Sequence, residues 1–361
     1  MRASRSWSSA WTATDLFAPR CLALILIATA PALASETFTV VAVGDIMLGT
    51  DYPLARLPAK DGKDYLAEVA PVLRAADVTF GNLEGVLADG GEPRKTCKTA
   101  SACYLFRSPA RYAAHLKAAG FDILSLANNH ARDFGEEGRS LTMSVLDSVG
   151  IRHSGRRGDI ASWEQGGKRW AMIAFSPTLK SHLLNDIPAA QRWVAQLVAH
   201  HDIVIVSFHG GIEGNDASQL PFAEEFYFGE PRGEVVRFAR TMVEAGADLV
   251  LGHGPHVVRA MELYERRLIA YSLGNFATAE GISVNGASGH APILQVTIAG
   301  DGEFLEGRLY SAIQRRPAGL GWDPDDQAAN AIRRLTIETF GPRMFAFAAE
   351  GRFRAHAAKA D

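Results

Sequence analysis

Short apolar runs alternate with amphipathic stretches along most of this chain. The runs have strand length and are rich in Val, Ile and Leu, and the stretches between them have helical spacing. The pattern predicts strands at 37–43, 77–80, 121–126, 170–175, 202–208, 248–251 and 267–271. It predicts helices at 65–76, 110–119, 136–149, 189–200, 233–245 and 325–339, and a hairpin of 293–298 with 304–310. Such alternation is typical of an α/β protein, and without repeats or linkers we interpret residues 35–361 as one domain.

Polar side chains follow the apolar runs at the points where the strands should end. They are Asp45, Glu84, Asn129, His130, His209, His253, His256 and Asn275. In an open α/β sheet such positions meet in one crevice at the carboxyl ends of the strands. Oxygen and nitrogen ligands without a thiolate suit a hard or borderline divalent metal. The pattern therefore predicts a shared metal site.

Each of these motifs also has an alternative structural role. The alternatives are a cap or turn for Asp45, a solvated acid for Glu84, an Asx turn for Asn128 to His130, a core histidine for His209, a rigid loop for His253 to His256 and a structural amide for Asn275. The joint placement at strand ends favours one site over six unrelated explanations.

The first residues have the pattern of a secretory signal. Arg2, Arg5 and Arg20 precede an apolar stretch at 21–30, and Ala-Leu-Ala at 32–34 resembles a cleavage site. The stretch is shorter than the ~20 apolar residues that span a bilayer, so cleavage is favoured over a membrane anchor. We therefore expect 1–34 to be a signal peptide and the protein to be exported, to the periplasm or the exterior.

Charge and cysteine content narrow the picture further. Without 1–34 the chain keeps 34 basic against 39 acidic side chains, so it lacks the excess of basic charge needed for nucleic-acid binding. Cys97 and Cys103 remain as an even pair. In an exported protein this predicts a disulfide, the alternative being a metal-binding pair.

Six motifs in order carry a resemblance to a known family. They are Gly-Asp-Ile-Met-Leu-Gly, Gly-Asn-Leu-Glu-Gly, Leu-Ala-Asn-Asn-His, Ser-Phe-His-Gly-Gly, Gly-His-Gly-Pro-His-Val and Tyr-Ser-Leu-Gly-Asn-Phe. The chain resembles the CapA family of capsule and poly-γ-glutamate synthesis proteins, which is similar to the calcineurin-like metallophosphoesterases. The resemblance implies a four-layer α/β/β/α sandwich with mixed sheets, its core at about 37–310 and a helical extension reaching about 340.

The resemblance also implies roles for the candidate residues. Asp45 would bind a first metal, Glu84 would bridge, Asn129 and His209 would bind a second metal, and His253 and His256 would complete the site. His130 matches the proton donor. One or two divalent ions are implied, with Mn, Fe, Zn and Mg undistinguished.

Three positions depart from the phosphoesterase pattern. Met47 stands where Gly-Asp-x-His has an imidazole, and a thioether is a poor ligand for a hard cation. Glu84 replaces an aspartate. The final histidines are spaced His-x-x-His, which leaves open whether His253 or His256 reaches the metal.

The leading functional hypothesis is an exported metal-dependent hydrolase or transferase acting on an anionic envelope polymer or peptide. Asn128, Asn275 and Glu213 are the candidate substrate contacts, and a membrane-bound polymer synthase is a candidate partner. The first alternative is a non-catalytic protein that keeps the fold and binds polymer for the synthase. The second is a peptide-modifying enzyme in which His130 moves a proton without hydrolysis.

Overall fold

Strands and helices alternate over the residues that the computed structural model describes, 36–95 and 104–356. Over these residues strands β1 to β21 are, in chain order, Thr37–Met47, Val78–Leu83, Val86–Leu87, Arg107–Ser108, Ile123–Ser125, Arg152–Ser154, Ala161–Gln165, Lys168–Ser176, His182–Leu183, Ile203–His209, Glu225–Tyr227, Glu230–Gly233, Leu249–His253, Met261–Tyr264, Arg267–Ala270, Asn275–Thr278, His290–Ala299, Phe304–Arg315, Gly319–Trp322, Phe345–Phe347 and Arg352–Ala355. Helices α1 to α6 are Ala70–Leu73, Tyr112–Ala119, Gly135–Ser148, Ile187–Val198, Val235–Glu244 and Gln327–Phe340. The predicted hairpin forms as the antiparallel pair β17 and β18.

Two large mixed sheets organise the described residues. The first has ten strands, with the order β20-β21-β18-β17-β1-β2-β5-β6, while β16 also pairs with β1 and β19 with β18. The second has seven strands, with the order β14-β15-β13-β10-β8-β7, and β9 pairs with β8. Each sheet contains four neighbouring parallel strands, namely β1, β2, β5 and β6 in the first, and β8, β10, β13 and β15 in the second. Parallel neighbours end at one edge, so the polar residues that follow them come together.

The two sheets pack face to face, and helices cover their outer faces. Phe38 of the first sheet packs edge-on against Trp170 of the second, with ring centroids 5.2 Å apart. Side chains alternate along β1, so Val40 belongs to the cluster between the sheets, while Val41 belongs to the cluster beneath α2. Helices α4 and α5 pack on the other side, against the second sheet. The predicted four-layer α/β/β/α sandwich with mixed sheets is confirmed.

One predicted helix is much shorter in the structure. The apolar spacing at 65–76 predicts a continuous helix, but only Ala70–Leu73 is α-helical, and turns precede and follow it. Pro71 has no N–H group to donate, and hydrogen bonds of the tighter i to i+3 type flank it, such as Ala67 N to Asp64 O. The hydrophobic periodicity therefore predicted which residues of this segment are buried but not the backbone conformation that they adopt.

The chain beyond residue 310 contributes more than the expected helix. α6 forms close to the predicted bounds, but β19, β20 and β21 also add to the first sheet, next to β18. Phe353 of β21 packs against Phe304 with ring centroids 5.6 Å apart. The first sheet thus extends to residue 355, past the predicted end of the core.

Some predictions fall outside the described residues. The expected signal peptide at 1–34 does so, as do Cys97 and Cys103. Export and the disulfide therefore stay predictions. Within the described ranges, no helix has the length and apolar character that crossing a membrane requires.

Candidate metal centre

Carboxylates and imidazoles from both sheets meet where the parallel strands end. Asp45 lies near the end of β1, Glu84 directly follows β2, and His209 is the last residue of β10. One ligand atom from each of these buried side chains lies within 4.8 Å of the other two. The sheets set this convergence, because Asp45 is in register with Asn82 on β2 and His209 with His253 on β13. The three side chains form a group able to hold a metal ion.

Several buried ligand atoms around this group have no hydrogen-bond partner among the described residues. They are both carboxylate oxygens of Glu84, Oδ1 of Asn129, Nε2 of His209 and Nδ1 of His253. An unpaired buried polar atom costs about 1–3 kcal/mol, so such atoms usually mark a bound ion, water or ligand. Carboxylate, amide and imidazole atoms together fit a divalent cation.

The two buried histidines at the strand ends are held in the form that binds metals. Burial lowers the pKa of His209 well below its ordinary value and also lowers the pKa of His253. Nε2 of His253 lies 3.1 Å from the carbonyl oxygen of Val43, so Nε2–H donates there and the lone pair is on Nδ1. Neutral imidazole is the ligand form, so both side chains are ready to coordinate.

His256 has a different environment, with its ring between carboxylates. Nδ1 lies 3.0 Å from Oδ2 of Asp45 and 3.0 Å from Oδ1 of Asn275, and Nε2 lies 3.8 Å from Oε1 of Glu84. Burial lowers the pKa of His256, but the Glu84 charge and the Asp45 hydrogen bond raise it to about 10. Burial raises the pKa of Glu84 to about 8. The pocket thus requires positive charge close to its carboxylates.

Backbone geometry brings the two loops of the site close together. The amide N–H of Asp45 donates to the carbonyl of Gly274 at 2.9 Å, and a Cβ at Gly44 would lie 2.1 Å from that oxygen. Position 44 therefore accepts only glycine without displacing the loop. His256 has a φ of 60°, a left-handed conformation uncommon for a side-chain-bearing residue. This turn directs the imidazole of His256 back toward Asp45.

Buried amides orient the ligands. Asn82 Nδ2 donates to Asp45 Oδ1 at 2.8 Å, and Asn128 Nδ2 donates to Asn82 Oδ1 at 3.2 Å. Asn128 Oδ1 accepts from the backbone N–H of His130, while Asn275 uses Oδ1 for His256 and Nδ2 for two backbone carbonyls. Asn128 and Asn275 were predicted to contact substrate. In the structure protein groups bind both of their polar atoms and so position the site, and a contact of either amide with substrate stays a prediction.

His130 forms a buried pair with an acid that sequence reasoning left unassigned. Its Nδ1 lies 2.7 Å from Oδ2 of Asp133, and its Nε2 lies 3.9 Å from Oε1 of Glu84. Phe106 stacks on the imidazole with ring centroids 4.0 Å apart, and its N–H donates to Asp133. Lys95 Nζ lies 3.2 Å from Asp133 Oδ1. The spacing His-x-x-Asp in an apolar turn was the available signal for this pair.

Glu213 faces the site beside a buried arginine. Its Oε2 lies 3.8 Å from His256 Nε2, and its Oε1 lies 2.9 Å from Arg232 Nη2. Arg232 is buried and also donates from Nε to the carbonyl of Gly211. Nothing in the motif around Arg232 indicated this contact, which depends on the pairing of β11 with β12. The predicted substrate contact Glu213 is thus located at the pocket and held by an ion pair.

Met47 lies in an apolar environment. It is buried in a small cluster with Phe106 and Ile282. The position that has an imidazole in the phosphoesterase pattern is here part of the hydrophobic packing. Any metal held by the pocket therefore has ligands from the remaining side chains.

Two face-to-face sheets with a buried carboxylate and imidazole group at their strand ends define an α/β protein with a candidate metal centre. The sequence model of the family described as "Bacterial capsule synthesis protein PGA_cap" matches residues 39–280. The chain belongs to this family. The match includes Asp45, Glu84, His209 and His253.

Curated relatives carry names that agree with the family. The chain is 30% identical to "PGA biosynthesis protein CapA" of Bacillus subtilis over 66% of its own length and 63% of that protein. It is 28% identical to "Capsule biosynthesis protein CapA" of Bacillus anthracis over 68% of its own length and 61% of that protein. The chain thus spans about three fifths of the length of these relatives.

Solved structures give more distant similarities. The calcineurin-like phosphoesterase YfkN from Bacillus subtilis is 13% identical, with a TM-score of 0.45, over 84% of this chain and 98% of that one. A 5'-nucleotidase precursor from Thermus thermophilus is 14% identical, with a TM-score of 0.43, over 84% of this chain and 59% of that one. The architecture described above follows from the strand order of the two sheets and does not depend on these values.

Proposed function

We propose that this chain is an exported, metal-dependent hydrolase or transferase that acts on an anionic envelope polymer in capsule or poly-γ-glutamate synthesis. The observation that carries the proposal is the set of buried, unpaired ligand atoms around Asp45, Glu84 and His209. The biological setting comes from relatives named for PGA and capsule biosynthesis. Because the chain spans only part of those relatives, the polymer and the reaction both belong to the proposal.

The residues present fit a divalent metal. Asp45, Glu84, Asn129 and His209 would hold it, with Nδ1 of His253 as a further ligand. A divalent ion bound there supplies Lewis acidity and a water nucleophile at neutral pH. The donor set accommodates Mn, Fe, Zn or Mg, and one or two ions. Asn82 fixes the Asp45 carboxylate by donating to Oδ1, and His256 Nδ1 lies 3.0 Å from Oδ2 on the pocket side.

His130 would donate the proton that the leaving group of the substrate takes up. Its Nε2 is on the side of Glu84, and Asp133 accepts the hydrogen bond from Nδ1–H. With Nδ1–H held by Asp133, Nε2 gives a proton to the leaving group of the substrate from the imidazolium form, and the ring then keeps its remaining proton on Nδ1. Phe106 covers the imidazole and limits its access to water.

The substrate would be an anionic polymer or peptide, and a membrane-bound synthase is the proposed partner. Export through the signal peptide would place the site in the compartment where an envelope polymer is assembled. The mild excess of acidic side chains along the chain disfavours nucleic acid as a partner. Glu213, close to His256, is the proposed contact for a positively charged or amide group of the substrate.

A second candidate function is a non-catalytic polymer-binding protein for the synthase. The observation favouring it is the apolar packing of Met47 with Phe106 and Ile282 where the phosphoesterase pattern has a ligand. This function requires no turnover and no stoichiometric metal. The two candidates therefore differ in the metal content of the purified protein.

The test is a joint measurement of metal and turnover. The purified protein is assayed for bound metal by mass spectrometry and for turnover on γ-glutamyl oligomers and phosphodiesters. His130→Ala is expected to abolish turnover and retain metal, whereas Asp45→Asn is expected to lose both. His200→Ala, at an exposed position, serves as the matched control. Turnover unchanged by both site variants would refute the mechanism, and tight polymer binding without metal would favour the second candidate.

A further inference from the structure

A cavity of about 410 Å³ with both charged and apolar lining lies between α3, β9 and the start of α4, close to the segment that carries His130. Its volume is within the range of sites for small molecules and short polymer segments. Its charged lining consists of Arg139, Arg156, Arg157 and Lys180 with Glu136 and Asp186. We call this cavity the arginine cleft. A surplus of positive charge here contrasts with the overall acidic balance of the chain.

Arg139 is the buried centre of the arginine cleft. Only 1% of its surface is exposed, and its Nε has no hydrogen-bond partner among the described residues. Its Nη2 lies 2.7 Å from each carboxylate oxygen of Glu136. Burying a guanidinium with an unpaired N–H is unfavourable unless a further acceptor binds. An anion in the cleft would supply that acceptor.

Glu136 indicates the kind of anion that fits. Its single carboxylate is shared by Arg139, by Arg132 Nε at 2.6 Å and by Arg156 Nε at 3.5 Å. Arginine forks match carboxylates through paired hydrogen bonds. Because three guanidinium groups surround this one carboxylate, some of their N–H groups are left to donate to a second carboxylate. Arg157 and Lys180, both exposed at the mouth, extend the positive surface toward solvent.

The arginine cleft is connected to the candidate metal centre through short contacts. Arg132 comes two residues after His130, and its Nη1 lies 3.4 Å from the carbonyl oxygen of Leu179. Thr178 Oγ1 lies 3.4 Å from the carbonyl oxygen of Asn128. The loop that forms one wall of the cleft is thus bonded to the segment that carries the site residues.

We propose that the arginine cleft binds carboxylate groups of an acidic polymer segment, next to the unit that reacts at the metal centre. The inference rests on the proposed function and specifies its substrate as a polycarboxylate. Trp193 and Leu179 line the same cavity and provide an apolar surface for the methylene groups between carboxylates. The cleft is therefore a specificity site, which selects chains with closely repeated carboxylates.

The test measures binding of a fluorescent γ-glutamate oligomer to the full chain by anisotropy, with EDTA present so that turnover cannot contribute. The double variant Arg157→Glu with Lys180→Glu is expected to bind at least tenfold more weakly. The control Arg352→Glu with Arg354→Glu makes the same change of net charge at two exposed positions of β21, and a change of less than twofold is expected. Thermal melting checks that all proteins are folded. Equal weakening by both double variants would overturn the proposal.

Two further results separate this proposal from the proposed function. If the protein shows no turnover but still binds the oligomer through the arginine cleft, the cleft proposal stands and the catalytic role is refuted. If the protein turns over the oligomer and the double variant Arg157→Glu with Lys180→Glu does not change the rate, the cleft proposal is refuted and the catalytic role stands. Polyphosphate of equal charge is used as a competitor, and it is expected to displace the oligomer only at higher concentration. Tighter binding of polyphosphate would overturn the selection of carboxylates.

Discussion

Nδ1 of His130 lies 2.7 Å from Oδ2 of Asp133, and both side chains are buried beside the metal-ligand group. This contact fixes the proton of the imidazole on Nδ1, so the opposite nitrogen faces Glu84. The tautomer follows from the acceptor, since a carboxylate accepts and cannot donate when ionised. Asp133 is thus a positioning residue for the proposed proton donor.

Replacing the members of this pair should separate chemistry from metal binding. His130→Ala is expected to lower kcat by about 10²–10⁴-fold, the usual contribution of a general acid. Asp133→Asn is expected to give a smaller loss and a changed pH profile of kcat, because the ring loses its negatively charged acceptor. Metal content should stay at the wild-type level in both variants. Loss of metal from His130→Ala would assign His130 to the ligand set instead.

Glu84 should have opposite effects on stability with and without metal. Burial raises the pKa of Glu84 and so disfavours its charged form, and Glu84→Gln, which is uncharged and of similar size, is therefore expected to be neutral or stabilising in metal-free protein. With Mn²⁺ at 100 times its dissociation constant, the wild type should gain about 2.7 kcal/mol and the variant much less. Thermal melting with EDTA and with Mn²⁺ measures both effects. Identical shifts on adding Mn²⁺ would argue against Glu84 as a ligand.

Met47→His tests whether the missing imidazole can be restored. Met47 packs with Phe106 and Ile282, so an unpaired imidazole there should destabilise the metal-free protein by about 1–3 kcal/mol. Divalent metal is expected to recover part of this loss and to raise the metal content per chain. Met47→Leu, which keeps the apolar packing, is the control. An unchanged metal content in Met47→His would place position 47 beyond the reach of the ion.

His153 should make folding stability depend on pH away from the metal centre. Its Nδ1 lies 3.1 Å from Asp159 and its Nε2 lies 3.2 Å from Asp147. Burial lowers the pKa of His153, but the hydrogen bond and charge of Asp159, together with Asp147, raise it above 6.5. The folded state therefore favours imidazolium, so this stabilisation is present below pH 6.5 and is lost as the pH rises through the raised pKa. Urea unfolding of wild type and His153→Asn across this range should give converging free energies, and parallel curves would contradict the assignment.

The α/β class was predictable because the apolar runs and helical stretches alternate so regularly, whereas the four-layer order was expected from the family resemblance. What the pattern missed depends on tertiary partners. Strand Arg352–Ala355 is short and has mixed polarity, and it forms because β18 offers an open edge for pairing. The three-residue strand Phe345–Phe347 then pairs with it. Pro71 shortened a helix that the apolar spacing predicted to be continuous.

The site was predictable to the extent that its ligands follow apolar strands. Asp45 and His209 do so and meet in the structure. Asn82, Asp133 and Arg232 escaped assignment because an amide, an acid in a turn and a lone arginine are common on surfaces. Their burial and their partners, which give them a role here, arise only when the two sheets and their loops pack together.

The central claim is that side chains from both sheets jointly hold a divalent cation, and metal analysis of the purified protein tests it most directly. The account predicts at least one divalent ion per chain in the wild type and its loss in Asp45→Asn and in His209→Ala, while both variants remain folded. A folded wild-type protein that binds no divalent ion after incubation with Mn²⁺, Fe²⁺, Zn²⁺ and Mg²⁺ would contradict it.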